Sequence, residues 1–293
     1  MRYRVIHKTK YDYSETVGTS YNEARLLPRI SINQQCSYAD LQIEPKPADY
    51  SEHQDFFGNR VVSFSIREPH QCFVVTATSE VQVISQEAQL NFSQGMAWEG
   101  VRSALRQQRD PQTLDALQYT LDSPFVTASE ALAAYAEPSF PTGRPLMEAV
   151  HDLMVRIHSD FTYDPDFTTL ATPLSTVLEH RRGVCQDFAH LAIGCLRAHG
   201  LAARYVSGYI ETLPPPGKEK LVGSDASHAW FSVYLPELGW MDFDPTNNQI
   251  PFDQHIIVGW GRDYGDVNPL KGVVFGGGEP KLAVSVDVRN LAG

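Results

Sequence analysis

The stretch Arg181-Arg182-Gly183-Val184-Cys185-Gln186-Asp187-Phe188-Ala189-His190 passes from a polar, glycine-marked turn straight into an apolar run. That places the Cys185 thiol on the first turn of a buried helix. Backbone N–H groups at a helix start lack intrahelical acceptors. With the positive end of the helix dipole, they favour negative charge on the sulfur and can hold the oxyanion of a tetrahedral intermediate. Downstream, Ser227-His228-Ala229-Trp230 and Asp242-Phe243-Asp244-Pro245-Thr246 supply a histidine and two carboxylates. A thiol, a base and an acid that orients the base form a candidate set for nucleophilic catalysis, Cys185, His228 and Asp244.

Outward from this stretch, the helix is expected over Val184 to His199. Phe188, Ala189, Leu191, Ala192, Ile193, Cys195, Leu196 and Ala198 make it apolar nearly all round, and Gly200 suits its C-terminal cap. Strand-like segments follow at 203–210, 228–235, 240–244 and 282–288. The second half therefore reads as α+β, a buried helix packed on an antiparallel sheet. From Met1 to about Ile84 the period is two, with Phe73, Val75, Ala77, Val81 and Val83 on one face of a strand, which predicts a β-rich sandwich or barrel-like domain. Between them the period turns helical, with Val101, Leu105, Leu132, Tyr135 and Ala136 inward, as a connector or as the start of the second domain. After the breakers at 137–145 comes a helix with Leu146, Val150, Leu153, Met154 and Ile157 on one face. The expected division is 1–95, a β-rich domain; 96–143, a helical connector; and 144–293, the catalytic domain with its C-terminal strand.

Strand parity constrains the candidate set. Along the strand from His228, Trp230, Ser232 and Tyr234 share the histidine's face. A four-residue loop at 236–239 would pair Leu235 with Trp240 and turn Asp244 away from it. A three- or five-residue connection, or a bulge, brings Asp244 diagonally beside His228.

The chain has 293 residues, 42% of them hydrophobic, and a formal charge of -11 from 24 basic and 35 acidic residues. That balance argues against nucleic acid as a partner, which is held by clustered Lys and Arg. The first residues lack the apolar core of a signal peptide and no apolar run reaches membrane-spanning length, so a cytoplasmic protein with no membrane partner is expected. The four cysteines, at 36, 72, 185 and 195, contain no C-x-x-C pair. Cys36 and Cys72 are expected as small buried hydrophobes without a disulfide.

The ordered blocks Arg182-Gly183-Val184-Cys185-Gln186-Asp187-Phe188-Ala189, His228-Ala229-Trp230 and Asp244-Pro245-Thr246 resemble those of the transglutaminase-like superfamily. Ala203 to Tyr209 is similar to a further segment of its bacterial members, and Tyr3 to Pro28 to the β-rich N-terminal region of bacterial proteins assigned as cysteine proteases. The resemblance implies a papain-like core with Cys185 as nucleophile, His228 as base and acid, and Asp244 as orienting carboxylate. The implied reaction is acyl transfer from a peptide or γ-glutamyl amide through a thioester. Water as acceptor makes a protease or amidase and an amine makes a transglutaminase. Peptide N-glycanases and arylamine N-acetyltransferases use similar sets, and a non-catalytic peptide-binding module is the alternative outside enzymes. The partner expected is a peptide or protein substrate, with the oligomeric state open. Animal transglutaminases use calcium, but no D-x-[DN]-x-[DN]-G loop occurs, so no metal or other cofactor is expected.

Other residues have simpler readings. The Cys185 N–H is one oxyanion donor, and Tyr163 is a candidate for another, with a packed aromatic as the alternative. Asp242 reads as structural or as a supporting acceptor. Asp187 reads as a favourable charge at the helix start, and His190 as a satisfied core histidine. Cys195 and His199 have metal-pair spacing without matching ligands. Gly276-Gly277-Gly278 lacks the pattern of a phosphate cradle. Leu213 to Lys220 reads as a mobile loop beside a cleft.

Overall fold

The computed structural model describes residues 1–84, 91–212 and 226–291; the expected loop at 213–220 lies outside them. The first five strands are β1 (Arg2–Ala24), β2 (Gln34–Glu44), β3 (Asp49–Gln54), β4 (Arg60–Ile66) and β5 (His70–Val83), in the order β2-β5-β1-β4-β3. The long β1 serves two sets of neighbours. Its first half pairs with β5 and its last residues with β4, and the register on β5 shifts between Asp12 and Val17. An irregularity of this kind bends a strand and lets a sheet curl. The expected sandwich or barrel is thus one curled sheet. Phe73, Val75 and Ala77 of β5 meet Leu41, Ile43, Val62, Phe64 and Ile66 in one apolar cluster.

Helices α1 (Trp98–Gln107), α2 (Pro111–Leu117) and α3 (Glu130–Ala136) occupy the expected connector. Val101, Leu105, Leu132, Tyr135 and Ala136 lie in the same core as α4 (Leu146–Asp160) and the helices that follow. The short strand β6 (Thr162–Tyr163), α5 (Leu174–His180), the short strand β7 (Arg182–Gly183) and α6 (Cys185–Ala198) come next. A second antiparallel sheet then forms from β8 (Ala203–Ile210), β9 (Ser227–Leu235), β10 (Gly239–Phe243) and β11 (His255–Gly261), in the order β10-β9-β8-β11. Ala229, Phe231, Val233 and Leu235 share one core with the buried face of α6, as alternation along β9 requires.

The last strands, β12 (Leu270–Gly276) and β13 (Pro280–Asn290), do not extend this second sheet. Both pair with β1, so the terminal strand expected within 144–293 belongs to the N-terminal sheet. Alternation identified β13 as a strand, but a period of two carries no information about which sheet receives it. The two sheets also share a cluster in which Tyr3, Val5, Val81, Val83, Val286 and Val288 pack against Tyr209, Ile256 and Val258. No helix among the described residues is long and apolar enough to cross a membrane.

Two side-chain amides tie the N-terminal half to the edge strand β11. Gln34 donates to the Ile257 carbonyl and accepts its N–H, both at 2.7 Å. Asn59 does the same for Trp260, both at 2.9 Å. Each amide mimics one residue of a neighbouring strand, satisfying backbone groups of an edge that has no strand beside it.

Gly208, opposite His228 in the β8–β9 pairing, has no room for a side chain. A Cβ there would stand 2.0 Å from the Ile256 carbonyl oxygen and 2.6 Å from the Trp230 ring. Gly208→Ala is therefore expected to destabilise the protein by at least about 1–3 kcal/mol, the usual cost of overpacking, as measured by urea unfolding.

Candidate active site

The position of Cys185 is set by the two strands of two residues. Parallel pairing places Thr162 beside Arg182 and Tyr163 beside Gly183. Arg181 ends α5 in the left-handed region, at φ 55°. Gly183 is required by close approach: a Cβ would stand 2.8 Å from Oδ2 of Asp187. That oxygen accepts the Val184 N–H at 2.8 Å and the Thr168 hydroxyl at 2.7 Å. Asp187 is thus more than a charge near the helix dipole. It is a buried hydrogen-bonding cap, and burial raises its pKa. With the Val184 N–H occupied, α6 opens on Cys185, which is partly buried.

The β9–β10 register answers the parity question. Leu235 pairs with Gly239, leaving a three-residue loop at 236–238, and Asp242 pairs with Ser232. Asp244 therefore continues β10 on the His228 face. The His228 Nε2 donates to Asp244 Oδ2 at 2.7 Å. The His228 ring also has Asn247 Nδ2 at 3.2 Å, and the Cys185 thiol stands close enough to act on its ionisation. The structure thus brings Cys185, His228 and Asp244 together.

Asp244 has no exposed surface. Its Oδ1 accepts the N–H groups of Thr246 and Asn247 at 3.0 and 3.2 Å, the geometry of an Asx turn. Its Oδ2 accepts from His228, from His255 Nε2 at 3.0 Å and from Asn247 Nδ2 at 2.8 Å. One carboxylate both makes the turn and holds the imidazole. Burial works against its charge, but the two histidines outweigh it and hold the carboxyl well below the usual range. Burial likewise opposes charge on His228, yet the hydrogen bond to Asp244 and the neighbouring Cys185 raise its pKa from 6.5 to about 10.

Sequence reasoning passed over His255 and Asn247. His255 opens β11 opposite Ile210, and its ring meets Trp230 edge-on, with 5.0 Å between centroids. No spacing rule singles out a histidine eleven residues beyond an aspartate. Asn247, only three residues beyond Asp244, falls where an Asx turn places its side chain. Nε2 of His228, Nε2 of His255 and an oxygen of Asp244 all lie within 4.8 Å of one another. Two of these contacts, at 2.7 and 3.0 Å, have hydrogen-bond length. Ligands about 2 Å from a tetrahedral zinc stand about 3.3 Å apart, so the present spacing fits shared protons better than a metal.

The remaining candidates find definite places. Asp242 accepts the Trp230 indole N–H at 3.0 Å and the Ser232 hydroxyl, fixing Trp230 next to His228. Tyr163 is 53% exposed. Partial burial and the neighbouring Cys185 raise its pKa, so it stands close to the thiol. His190 is buried and accepts the Tyr264 N–H at 3.1 Å, and burial lowers its pKa to about 3, as befits a neutral core histidine. Cys195 is buried, which pushes its pKa up to about 12, while His199 bonds the Cys195 carbonyl at 2.9 Å instead of sharing a metal with the thiol. Cys36 is half-buried and Cys72 exposed, not buried as expected. Phe73 takes the inward position, and alternation turns Cys72 out.

These shifts set a pH window. The raised His228 pKa adds stability that is complete below about 6.5 and lost as pH rises through about 10. The depressed Asp244 pKa adds stability that is present above about 3.8 and lost as pH falls further. Both arise largely from the same contact and are counted once. Urea midpoints of the wild type are expected to be highest between about pH 4 and 6.5. They should decline toward pH 10 more steeply than those of His228→Gln.

Comparison with known proteins agrees with this architecture. Residues 3–82 match the bacterial transglutaminase-like N-terminal region, and residues 133–245 match the transglutaminase-like superfamily. An uncharacterized protein of Mycobacterium tuberculosis is 46% identical over 300 residues, covering 100% of this chain and 94% of the relative. A protein-glutamine gamma-glutamyltransferase of Pseudomonas aeruginosa is 30% identical over 128 residues, 37% of this chain and 19% of that protein. The crystal structure of a protein from Cytophaga hutchinsonii, assigned as a cysteine protease, superposes with a TM-score of 0.77 at 20% identity. It covers 100% of this chain and 91% of its own. The chain belongs to the transglutaminase-like superfamily, with a papain-like core preceded by the bacterial transglutaminase-like N-terminal β region.

Proposed function

We propose that the protein transfers the acyl group of a peptide or γ-glutamyl amide through a thioester on Cys185, with His228 as base and acid and Asp244 as its orienting carboxylate. The observation that carries this reading is the His228 side chain, bonded to Asp244 at 2.7 Å and close enough to the thiol at the start of α6 for that thiol to raise its pKa. With its pKa raised to about 10, His228 already holds the proton given up by Cys185 when the sulfur attacks the amide carbon. The oxygen becomes an anion facing the Cys185 N–H. Collapse breaks the C–N bond, and the proton on His228 leaves with the amine or ammonia. Water or an amine then attacks the thioester, giving its proton to His228, and the expelled sulfur regains one. Asp244 stays ionised throughout and holds the imidazole by Nε2.

The glutamyl transfer named for the Pseudomonas relative supports a glutamine side-chain amide as acyl donor and an amine as the second acceptor beside water. A glutamine-containing peptide, incubated with and without cadaverine, tests both. Ammonia release reports thioester formation, and mass spectrometry separates the glutamate product from the amine adduct. Cys185→Ala is expected to abolish release and Asp244→Asn to lower it by about 10³–10⁴-fold. Iodoacetamide should label Cys185 faster than the exposed Cys72 in the wild type, and His228→Ala should remove the difference. Equal labelling in both proteins, with no ammonia from any glutamine peptide, would leave a cleft that binds peptides without cleaving them.

His255 is proposed as a positioning residue that acts through Asp244. His255→Ala is expected to lower kcat by about 10–100-fold with KM little changed, because a small misplacement of the imidazole is enough for such a loss. His255→Gln, which keeps an N–H donor at a similar reach, should recover most of it. A role confined to stability would move the urea midpoint and leave kcat of the folded fraction intact.

A further inference from the structure

Two buried arginines in the second half of the chain differ sharply. Arg197, 4% exposed, donates to the carbonyls of Tyr119, Ala203 and Arg262 and to the Ser123 hydroxyl. Arg204, 7% exposed, makes no hydrogen bond to a described residue, and its Nε is buried without a partner. Its guanidinium lies between two indoles, 4.3 Å from the Trp240 centroid and 3.8 Å from that of Trp260. Arg29 lies 3.5 Å from the Trp260 centroid. The acid acting most strongly on Arg204 is Asp242, whose oxygens already accept from Trp230 and Ser232. Stacking orients a guanidinium but leaves its in-plane donors unsatisfied.

Arg204 lines a cleft of about 690 Å³ at the junction of the N-terminal sheet, α2 and the β9–β10 hairpin. Phe56, Phe57, Tyr119, Trp240 and Trp260 supply aromatic walls. The size suits a small ligand, and flat apolar walls with one convergent charged donor set are the usual make-up of such sites. Asp115 and Glu237 line the same cleft, which disfavours a polyanion such as a phosphate ester and selects a single negative charge. We propose that this cleft binds a monocarboxylate carried on a flat apolar body, with the carboxylate on Arg204 and the body between the aromatic walls. Its mouth is formed by different residues from the cysteine site. Arg204 lies four residues along β8 from Gly208, the partner of His228, a separation of about 13 Å along the strand.

Calorimetric titration with phenylacetate and with its neutral analogue phenylacetamide tests this on the unmodified protein. The acid is expected to bind about tenfold tighter or more, the advantage of a charge-assisted hydrogen bond, and to quench tryptophan fluorescence. Arg204→Met should erase the difference, and Phe56→Ala, at a position 82% exposed and safe for folding, should weaken both ligands. N-acetyl-Ala-Phe set against its C-terminal amide distinguishes a peptide end from a free acid as the source of the carboxylate. Equal affinity for acid and amide in both pairs, or no binding of either acid, would overturn the proposal even if Cys185 proves catalytic.

Discussion

A carboxylate without any exposed surface is the constraint on which the centre of this molecule depends. An ionised Asp244 in that position would be prohibitively costly without partners. It has five, from Thr246, two groups of Asn247, His228 and His255. Each partner ties a different part of the chain to one point. Thr246 and Asn247 fix the turn after β10, His228 fixes the start of β9, and His255 fixes the start of β11. Gln249 closes the same turn by exchanging backbone hydrogen bonds with Asp244 at 2.9 and 3.1 Å. The charge is retained because every lone pair that could carry it has a donor, and this gives the imidazole one orientation and one tautomer.

Whether His255 can reach Asp244 depends on where β11 lies, and β11 is the edge of its sheet. The N-terminal half supplies what that edge lacks, through Gln34 and Asn59, which stand in for a neighbouring strand. Asn59 is itself held by Asp55, whose two oxygens accept its backbone and side-chain N–H groups. Burial of Tyr209 and Ile256 against Tyr3, Val5 and Val288 completes the junction. The return of β12 and β13 to β1 closes the chain around it. The N-terminal sheet is therefore a structural wall of the site's sheet, not an independent module on a tether. Loosening it would act on the imidazole through β11, His255 and Asp244 in turn.

The parts of this arrangement that were legible in sequence are those written in local periods. The α6 helix was visible in an all-round apolar run, its start in Gly183 and Asp187, and its end in Gly200. The β9–β10 parity argument reduced the position of Asp244 to a question about loop length, and the answer was Pro236-Glu237-Leu238. Contacts set by tertiary closure were not legible. His255 meets Asp244 because β11 lies beside β8, two strands away from β9, and sheet order is not encoded in alternation. The destination of β13 was hidden for the same reason. Cys72 was misplaced because hydrophobicity was given precedence over strand phase, although Phe73 had already claimed the inward side.

The second sheet has two unlike faces, and this difference organises its chemistry. Ala229, Phe231, Val233 and Leu235 face α6 and need only packing. The opposite face carries His228, Trp230, Ser232, Asp242, Asp244 and Arg204, a line of polar groups. Buried polar groups are stable only when satisfied, and along this line the pairing is nearly complete. Asp244 answers His228 and His255, and Asp242 answers Trp230 and Ser232. The pairing stops at Arg204, where the protein supplies two indole faces and a lowered guanidinium pKa of about 10, caused first by burial. A fold that satisfies Arg197 with four protein acceptors has the means to satisfy a buried arginine. Arg204 is instead stacked at an aromatic cleft, with its Nε lacking an acceptor among the described residues, which is the feature behind the carboxylate site proposed above.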